Sequence, residues 1–115
     1  MHEYHLAEDI LRTIDEAASK AGAESVRKVR LTVGKLRNVP PETLSFILAE
    51  KSKEGRADGA EFEIVEEDIL FKCPVCGKRE AVDEYIVGYA PACCSRPMKA
   101  VEGDAVTIEI LDPAL

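Results

Sequence analysis

The stretch from residue 26 to residue 33, VRKVRLTV, alternates apolar and polar side chains and decides the fold class. Its odd-numbered residues from 29 to 33 are apolar, and its even-numbered residues from 28 to 32 are polar. Successive side chains of a strand point to opposite faces, so this pattern predicts a strand with one buried face that ends at Gly34. The same alternation at 60–66, AEFEIVE, and at 105–111, AVTIEIL, predicts two further strands.

Two predicted helices accompany these strands. Residues 3–21 carry apolar side chains at helical spacing with charges between them, and Gly22 predicts the helix end. A second helix is predicted from Pro41, because proline suits the first helical turn, and Glu42 adds a favourable negative charge there. Three strands with one apolar face each and two helices to cover them predict an α+β fold, in which two helices pack on a three-stranded sheet.

All four cysteines lie in one stretch between the second and third predicted strands. The sequence Cys73-Pro-Val-Cys76-Gly is a tight turn of the kind that points two sulfur atoms at one metal, and it is common in structural zinc sites. Cys93 and Cys94 are adjacent, so both can reach one metal only if the backbone turns between them. The prolines on either side of this pair favour such a turn.

Residues 70–100 are therefore predicted as an inserted, zinc-ribbon-like module, and 1–69 plus 101–115 as the α+β domain. The module has few large apolar side chains, so we expect zinc to hold it folded. A closed set of four thiolates is a structural site rather than a catalytic one. The alternatives are an iron site of the rubredoxin type, a redox disulfide, and three thiolates completed by a water or a histidine.

The composition excludes several functional classes. Twenty-two Asp and Glu against fifteen Lys and Arg give the 115-residue chain a net charge of −7, which argues against nucleic acid or an anionic membrane as the main partner. No apolar run approaches the roughly 20 residues of a membrane span, and the N-terminus lacks the apolar stretch of a secretion signal. We therefore predict a cytoplasmic protein. No nucleophile–base pattern or phosphate-binding loop is found, so no enzymatic activity is predicted.

The first three residues, Met1-His2-Glu3, carry a second candidate metal site. A free α-amine, the following backbone nitrogen and the His2 imidazole can form adjoining chelate rings, and nitrogen donors in a plane suit Ni(II) or Cu(II). The alternative is that His2 binds no metal and is only a polar residue at a frayed chain end. His5 lies one helical turn from His2, where it either assists the metal site or is an exposed helix residue.

Taken together, these features resemble the HypA/HybF family of hydrogenase nickel-incorporation proteins. The resemblance rests on the opening MHE, the strand VRKVRLTVGKL, the helix Pro-Glu-x-Leu-x-Phe from Pro41 to Phe46, the segment GAEFEI, the CxxCG module and the final strand. It implies a nickel metallochaperone that carries Ni(II) as cargo and Zn(II) as a structural ion. It implies that His2 binds nickel together with the Met1 amine and the backbone nitrogens of His2 and Glu3. The zinc ligands would be Cys73, Cys76, Cys93 and Cys94.

The resemblance also implies partners, namely a HypB-type GTPase and the large subunit of [NiFe]-hydrogenase, with urease served in some bacteria. The oligomeric state is left open, with a homodimer as one alternative. The alternative function is a zinc-ribbon adaptor that binds protein partners, with an inert N-terminus. Two positions depart from the family pattern. His5 stands where the family usually has a small residue such as Ser. The second cysteine pair is Cys93-Cys94 rather than CxxC, with Pro91 at the place of the earlier cysteine.

Overall fold

The computed structural model describes residues 2–84 and 89–114, with side chains at 3–84 and 89–112. The helices are α1 (His2–Lys20), the short 3-10 helix η1 (Lys35–Arg37) and α2 (Pro41–Lys51). The strands are β1 (Ser25–Gly34), β2 (Glu61–Glu67), β3 (Ile69–Lys72), β4 (Arg79–Val82), β5 (Ala92–Cys93), β6 (Arg96–Pro97), β7 (Lys99–Glu102) and β8 (Val106–Ala114). The chain forms two compact units. Unit 1 comprises Met1–Leu31, Val39–Val65 and Thr107–Leu115, and unit 2 comprises Thr32–Asn38 and Glu66–Val106.

Helix α1 buries one stripe and ends where the sequence predicts. Its buried side chains recur at helical spacing and are those of Ala7, Ile10, Ile14 and Ala18. Beyond Lys20, the amide of Ala23 donates to the carbonyl of Ala18 at 2.8 Å, and the amide of Gly22 donates to that of Ser19 at 3.1 Å. Gly22 has φ 76°, the left-handed conformation that this helix-terminating motif requires.

Helix α2 begins with Pro41 at its first position and buries Leu44, Ile47 and Leu48. It contacts α1 within unit 1. Lys51 near its end reaches the Glu8 carboxylate at 3.2 Å and lies 5.0 Å from the centre of the Tyr4 ring.

The sheet of unit 1 has the strand order β2-β1-β8, with β1 in the centre. The central strand buries its apolar face, and the facing residues of the outer strands are half-buried. On the opposite face, Arg30 lies 3.5 Å from the Glu63 carboxylate of β2 and 3.3 Å from the Glu109 carboxylate of β8. These exposed ion pairs contribute little to the free energy of unfolding, but they place an acid beside Arg30 on each neighbouring strand.

Unit 2 contains a three-stranded sheet of order β4-β3-β7 and the two-stranded hairpin β5-β6. Its core consists of Ile69, Phe71, Cys73 and Met98. Leu36 packs against this core from η1, a segment that lies far from the module in sequence. The small core thus includes a cysteine side chain, and two of its residues, Leu36 and Ile69, lie outside 70–100.

The segment from Gly34 to Asn38 is held to unit 2 by its backbone. The amide of Gly34 donates to Ala105 and the amide of Leu36 to Gly103, both at 2.9 Å. The Lys35 amine donates to the Asp68 carboxylate at 2.8 Å, which raises the pKa of this lysine above its ordinary value.

The α+β class and the inserted cysteine module are confirmed, and all three predicted sheet strands are present, with the last extending to Ala114. The compact unit around the cysteines begins at Glu66 and includes Thr32–Asn38, whereas the predicted module was 70–100. Hydrogen bonding and packing, rather than sequence continuity, account for this added segment. Among the described residues, the helices are all too short or too polar to span a membrane.

Candidate metal centre

The four cysteines of the chain form one cluster within unit 2. One sulfur atom from each of Cys73, Cys76, Cys93 and Cys94 lies within 4.8 Å of every other. Cys73 is buried and Cys93 half-buried, while Cys76 and Cys94 are exposed at the surface. The structure therefore brings together all four cysteine ligands that the sequence predicts.

The first pair sits on a tight turn after β3. The amide of Cys73 donates to the Lys78 carbonyl at 2.8 Å, and the amide of Gly77 donates to the Cys73 carbonyl at 3.1 Å. The amides of Val75 and Cys76 point to the Cys73 sulfur, at 3.4 and 3.5 Å. Gly77 closes the turn with φ 79°, which a residue with a side chain rarely adopts.

The second pair sits at the tip of the β5-β6 hairpin. Ala92 is paired with Pro97 and Cys93 with Arg96, so Cys94 and Ser95 are the two turn residues. Their φ angles are 54° and 59°. A two-residue turn with both φ angles positive reverses the chain sharply, as type I′ hairpin turns do. The backbone thus turns where the adjacent cysteines require it, and their sulfur atoms lie 3.8 Å apart.

These distances fit a tetrahedral zinc ion. Zinc–sulfur bonds of about 2.3 Å in a tetrahedron place the sulfur atoms about 3.8 Å apart. The sulfur atoms of Cys76 and Cys93 are separated by 3.6 Å, and those of Cys93 and Cys94 by 3.8 Å. A disulfide needs about 2.05 Å, so the cysteines are free thiols. The cluster suits the structural zinc site of the predicted module, although thiolate geometry alone does not distinguish zinc from iron.

The electrostatics of the cluster favour a cation. The amides of Cys76 and Val75 stabilise the Cys73 thiolate and lower its pKa to about 6. Hydrogen bonding to the neighbouring thiols, that of Cys76 first, raises the pKa of Cys93 to about 12 and also raises that of Cys94. The thiolate form of Cys73 is therefore favoured, while ionisation of Cys93 and Cys94 is opposed chiefly by hydrogen bonding to the neighbouring sulfur atoms. A divalent cation removes this opposition, and zinc would supply structural cross-linking of the two turns.

Of the predicted nickel residues, His2 and Glu3 lie at the start of α1. Met1 is outside the described residues, and only the backbone of His2 is described, as the first residue of the helix. Glu3 is half-buried in the first turn, and His5 is exposed. The nickel ligation by Met1, His2 and Glu3 therefore stays a prediction.

Comparison with known proteins identifies the family of the chain. A family model described as "Hydrogenase/urease nickel incorporation, metallochaperone, hypA" matches residues 1–112. The hydrogenase maturation factor HypA of Methanopyrus kandleri is 34% identical over 128 aligned positions, which cover 95% of this chain and 90% of that protein. The factor of the same name from Acidithiobacillus ferrooxidans is 32% identical, covering 97% of this chain and 98% of that protein.

The fold has a solved counterpart. The solution structure of the Ni metallochaperone HypA from Helicobacter pylori superposes with a TM-score of 0.71, at 19% identity, over 99% of this chain and 98% of that one. At that identity the likeness concerns the fold.

Proposed function

The chain belongs to the HypA family of hydrogenase and urease nickel-incorporation metallochaperones, and we propose that it binds Ni(II) through its first three residues for delivery to [NiFe]-hydrogenase. Nickel is the cargo in this proposal. The cluster of four cysteines is the proposed structural zinc site, with Cys73, Cys76, Cys93 and Cys94 as ligands.

The observation that carries the nickel site is that α1 begins at His2. The first four amide groups of a helix have no carbonyl of a preceding turn to bond. The amide nitrogens of His2 and Glu3 are therefore available for deprotonation and metal binding without the loss of a helical hydrogen bond. Helix termini also rearrange at low cost, which suits a site that must release its cargo.

The same donor set predicts how nickel affinity depends on pH. Nickel competes with protons for the imidazole and for the amide nitrogens, so affinity rises with pH. We expect weaker nickel binding as the pH falls through the ordinary histidine range, near about 6.5.

The test is a nickel titration of the untagged, zinc-loaded chain with three variants. We expect His2→Ala to weaken nickel binding more than about 100-fold, because even residues behind the metal ligands can cost that much. A chain with one additional residue before Met1 should lose tight binding equally, since the α-amine is displaced. His5→Ala is the matched control on the same helix and should retain tight binding. Parental affinity in His2→Ala would refute the proposed site.

The proposal extends to partners and location. A maturation role suggests a HypB-type GTPase and the [NiFe]-hydrogenase large subunit as partners, and delivery to urease is consistent with the description of the family. We propose a cytoplasmic location, which the four free thiols favour because disulfides form in oxidising compartments. We also propose a carrier without catalytic activity, since a zinc ion with four protein ligands keeps no position open for a substrate.

A further inference from the structure

Three cations stand in one row across the sheet of unit 2. In the strand register, Lys72 of β3 is paired with Arg79 of β4 on one side and with Lys99 of β7 on the other. Paired residues of antiparallel strands direct their side chains to the same face. All three side chains are exposed, and they lie on the face opposite to Phe71 and the buried core.

This arrangement is unfavourable within the unit itself. Like charges directly opposite each other destabilise a sheet. The ion pairs found among residues 3–84 and 89–112 include none of these three cations. In unit 1, by contrast, Arg30 has an acid on each neighbouring strand. The three cations of the row therefore form no ion pair within the described part of the chain.

A groove of mixed polarity adjoins the row, with a volume of about 510 Å³. Lys72, Lys99, Val75 and Val101 line it together with the turn of the first cysteine pair, namely Cys73, Pro74, Cys76 and Gly77. The valines are 61% and 49% exposed, which is high for apolar side chains of this size. The strand pairing is irregular at Val101, because Leu70 is paired with Glu102 while the next residue of β3 is paired with Ala100. Such an irregularity redirects a side chain, here into the groove.

The local charge opposes that of the whole protein. Residues 70–80 and 90–102 contain five cations and two acids, although the chain has a net charge of −7. The cations are Lys72, Lys78, Arg79, Arg96 and Lys99. Of the acids, Glu80 is paired with Phe71 and so faces the core side of the sheet, whereas the exposed Glu102 is paired with Leu70 and lies on the face of the cation row. Zinc with four thiolates would subtract two charges and leave this end of unit 2 positive.

We propose that the face formed by Arg79, Lys72, Lys99, Val75 and Val101 binds an acidic peptide segment of a partner protein, with an apolar side chain of that segment in the groove. Charge complementarity selects an acidic partner, and the two exposed valines select one with an apolar anchor. A long nucleic acid fits poorly, because three cations offer few phosphate contacts and the remaining surface is acidic. The proposed nickel site is not involved.

The experiment is an NMR titration of the ¹⁵N-labelled, zinc-loaded chain with the peptide acetyl-Glu-Asp-Leu-Asp-Glu-amide. We expect saturable shifts of the amide signals around Lys72, Val75, Lys99 and Val101, with an affinity that falls as salt is added. The analogue acetyl-Gln-Asn-Leu-Asn-Gln-amide should cause no saturable shift. An analogue with Gly in place of Leu should bind more weakly.

Two variants test the two halves of the surface. Lys72→Gln with Lys99→Gln should weaken binding roughly tenfold, at about 0.7 kcal/mol for each exposed ion pair. The matched control, Lys20→Gln with Lys53→Gln, makes the same change in net charge on unit 1 and should stay within about twofold of the parent. Val75→Ser, which alters no charge, should weaken binding severalfold.

Zinc content is measured in every sample, because the cations could instead serve only to offset the charge of the zinc thiolates. If the cations only offset the thiolate charge, the double variant should lose zinc and the parent should not bind the peptide. This result would overturn the proposal. Equal binding of the neutral peptide, an equal loss in the control variant, or tighter binding of a twelve-residue oligothymidylate to the same face would also overturn it.

Discussion

Replacement of Gly34 by alanine tests whether unit 2 depends on the segment that precedes η1. Gly34 has φ −67° and ψ 138°, a conformation open to any residue, so backbone preference does not explain a glycine here. A Cβ at this position would instead lie 1.8 Å from the Gly103 oxygen and 2.1 Å from the Gly103 carbonyl carbon. Both atoms belong to the backbone, which cannot turn away as a side chain can.

The expected cost follows from the contacts that must open. An ordinary contact begins at 3.4 Å, so the two backbone segments must separate by about 1.6 Å. The 2.9 Å hydrogen bonds from Gly34 to Ala105 and from Leu36 to Gly103 cannot survive that separation. Two lost bonds, with partly buried groups left unpaired, cost about 3 kcal/mol in the free energy of unfolding. For a chain of this size the melting temperature should fall by about 10–15 °C.

The assay is thermal unfolding of the zinc-loaded chain followed by circular dichroism, with Gly22→Ala as the matched control. Gly22 has φ 76° and open space around the position of its Cβ, so alanine there meets only conformational strain of about 1 kcal/mol. The two variants thus separate close approach from backbone preference. If Gly34→Ala costs no more than Gly22→Ala, the close approach does not hold the segment to unit 2.

Two further predictions concern the cysteine cluster. Ser95→Gly should strengthen zinc binding roughly fivefold, because Ser95 has φ 59° and glycine adopts positive φ at about 1 kcal/mol less cost; a chelator competition measures this, and weaker zinc binding contradicts it. The same competition at different pH values should show that zinc affinity falls as the pH is lowered. The slope of the logarithm of the affinity against pH should increase by about one below pH 6. The lowered pKa of Cys73, about 6, keeps this thiolate free of protons above that pH, so it adds proton competition only below it. An unchanged slope across pH 6 contradicts the lowered pKa of Cys73.

Much of the fold could be predicted because its helices and strands follow from patterns within short stretches of the sequence. The alternation in residues 26–33 identified the central strand, and Gly22 identified the end of α1 through a motif that needs a left-handed residue. The cysteine spacing likewise identified the metal cluster, since a CxxC pattern brings two sulfur atoms together without help from the rest of the chain.

The remaining features depend on contacts between distant residues. Leu36 stands alone between two elements, so no periodicity indicates that it completes the core of unit 2. The Cys94–Ser95 turn lacks the Asn-Gly or Asp-Gly sequence that is typical of such turns. The sequence therefore indicated only that the backbone must turn there if both cysteines bind one metal. The register that aligns Lys72 with two other cations runs against charge preference, so no pairing rule would have selected it.

The path of the chain through the two units has a consequence for how the protein can be divided or recombined. Unit 2 takes Thr32–Asn38 from one part of the chain and Glu66–Val106 from another. A gene fragment that encodes 66–106 would therefore lack Leu36 from its core. It would also lack the hydrogen bonds that Gly34 donates to Ala105 and Leu36 donates to Gly103. Residues 66–106 therefore do not contain the whole of unit 2. Transplanting the cysteine module into another scaffold requires a second, separate graft that supplies the η1 segment.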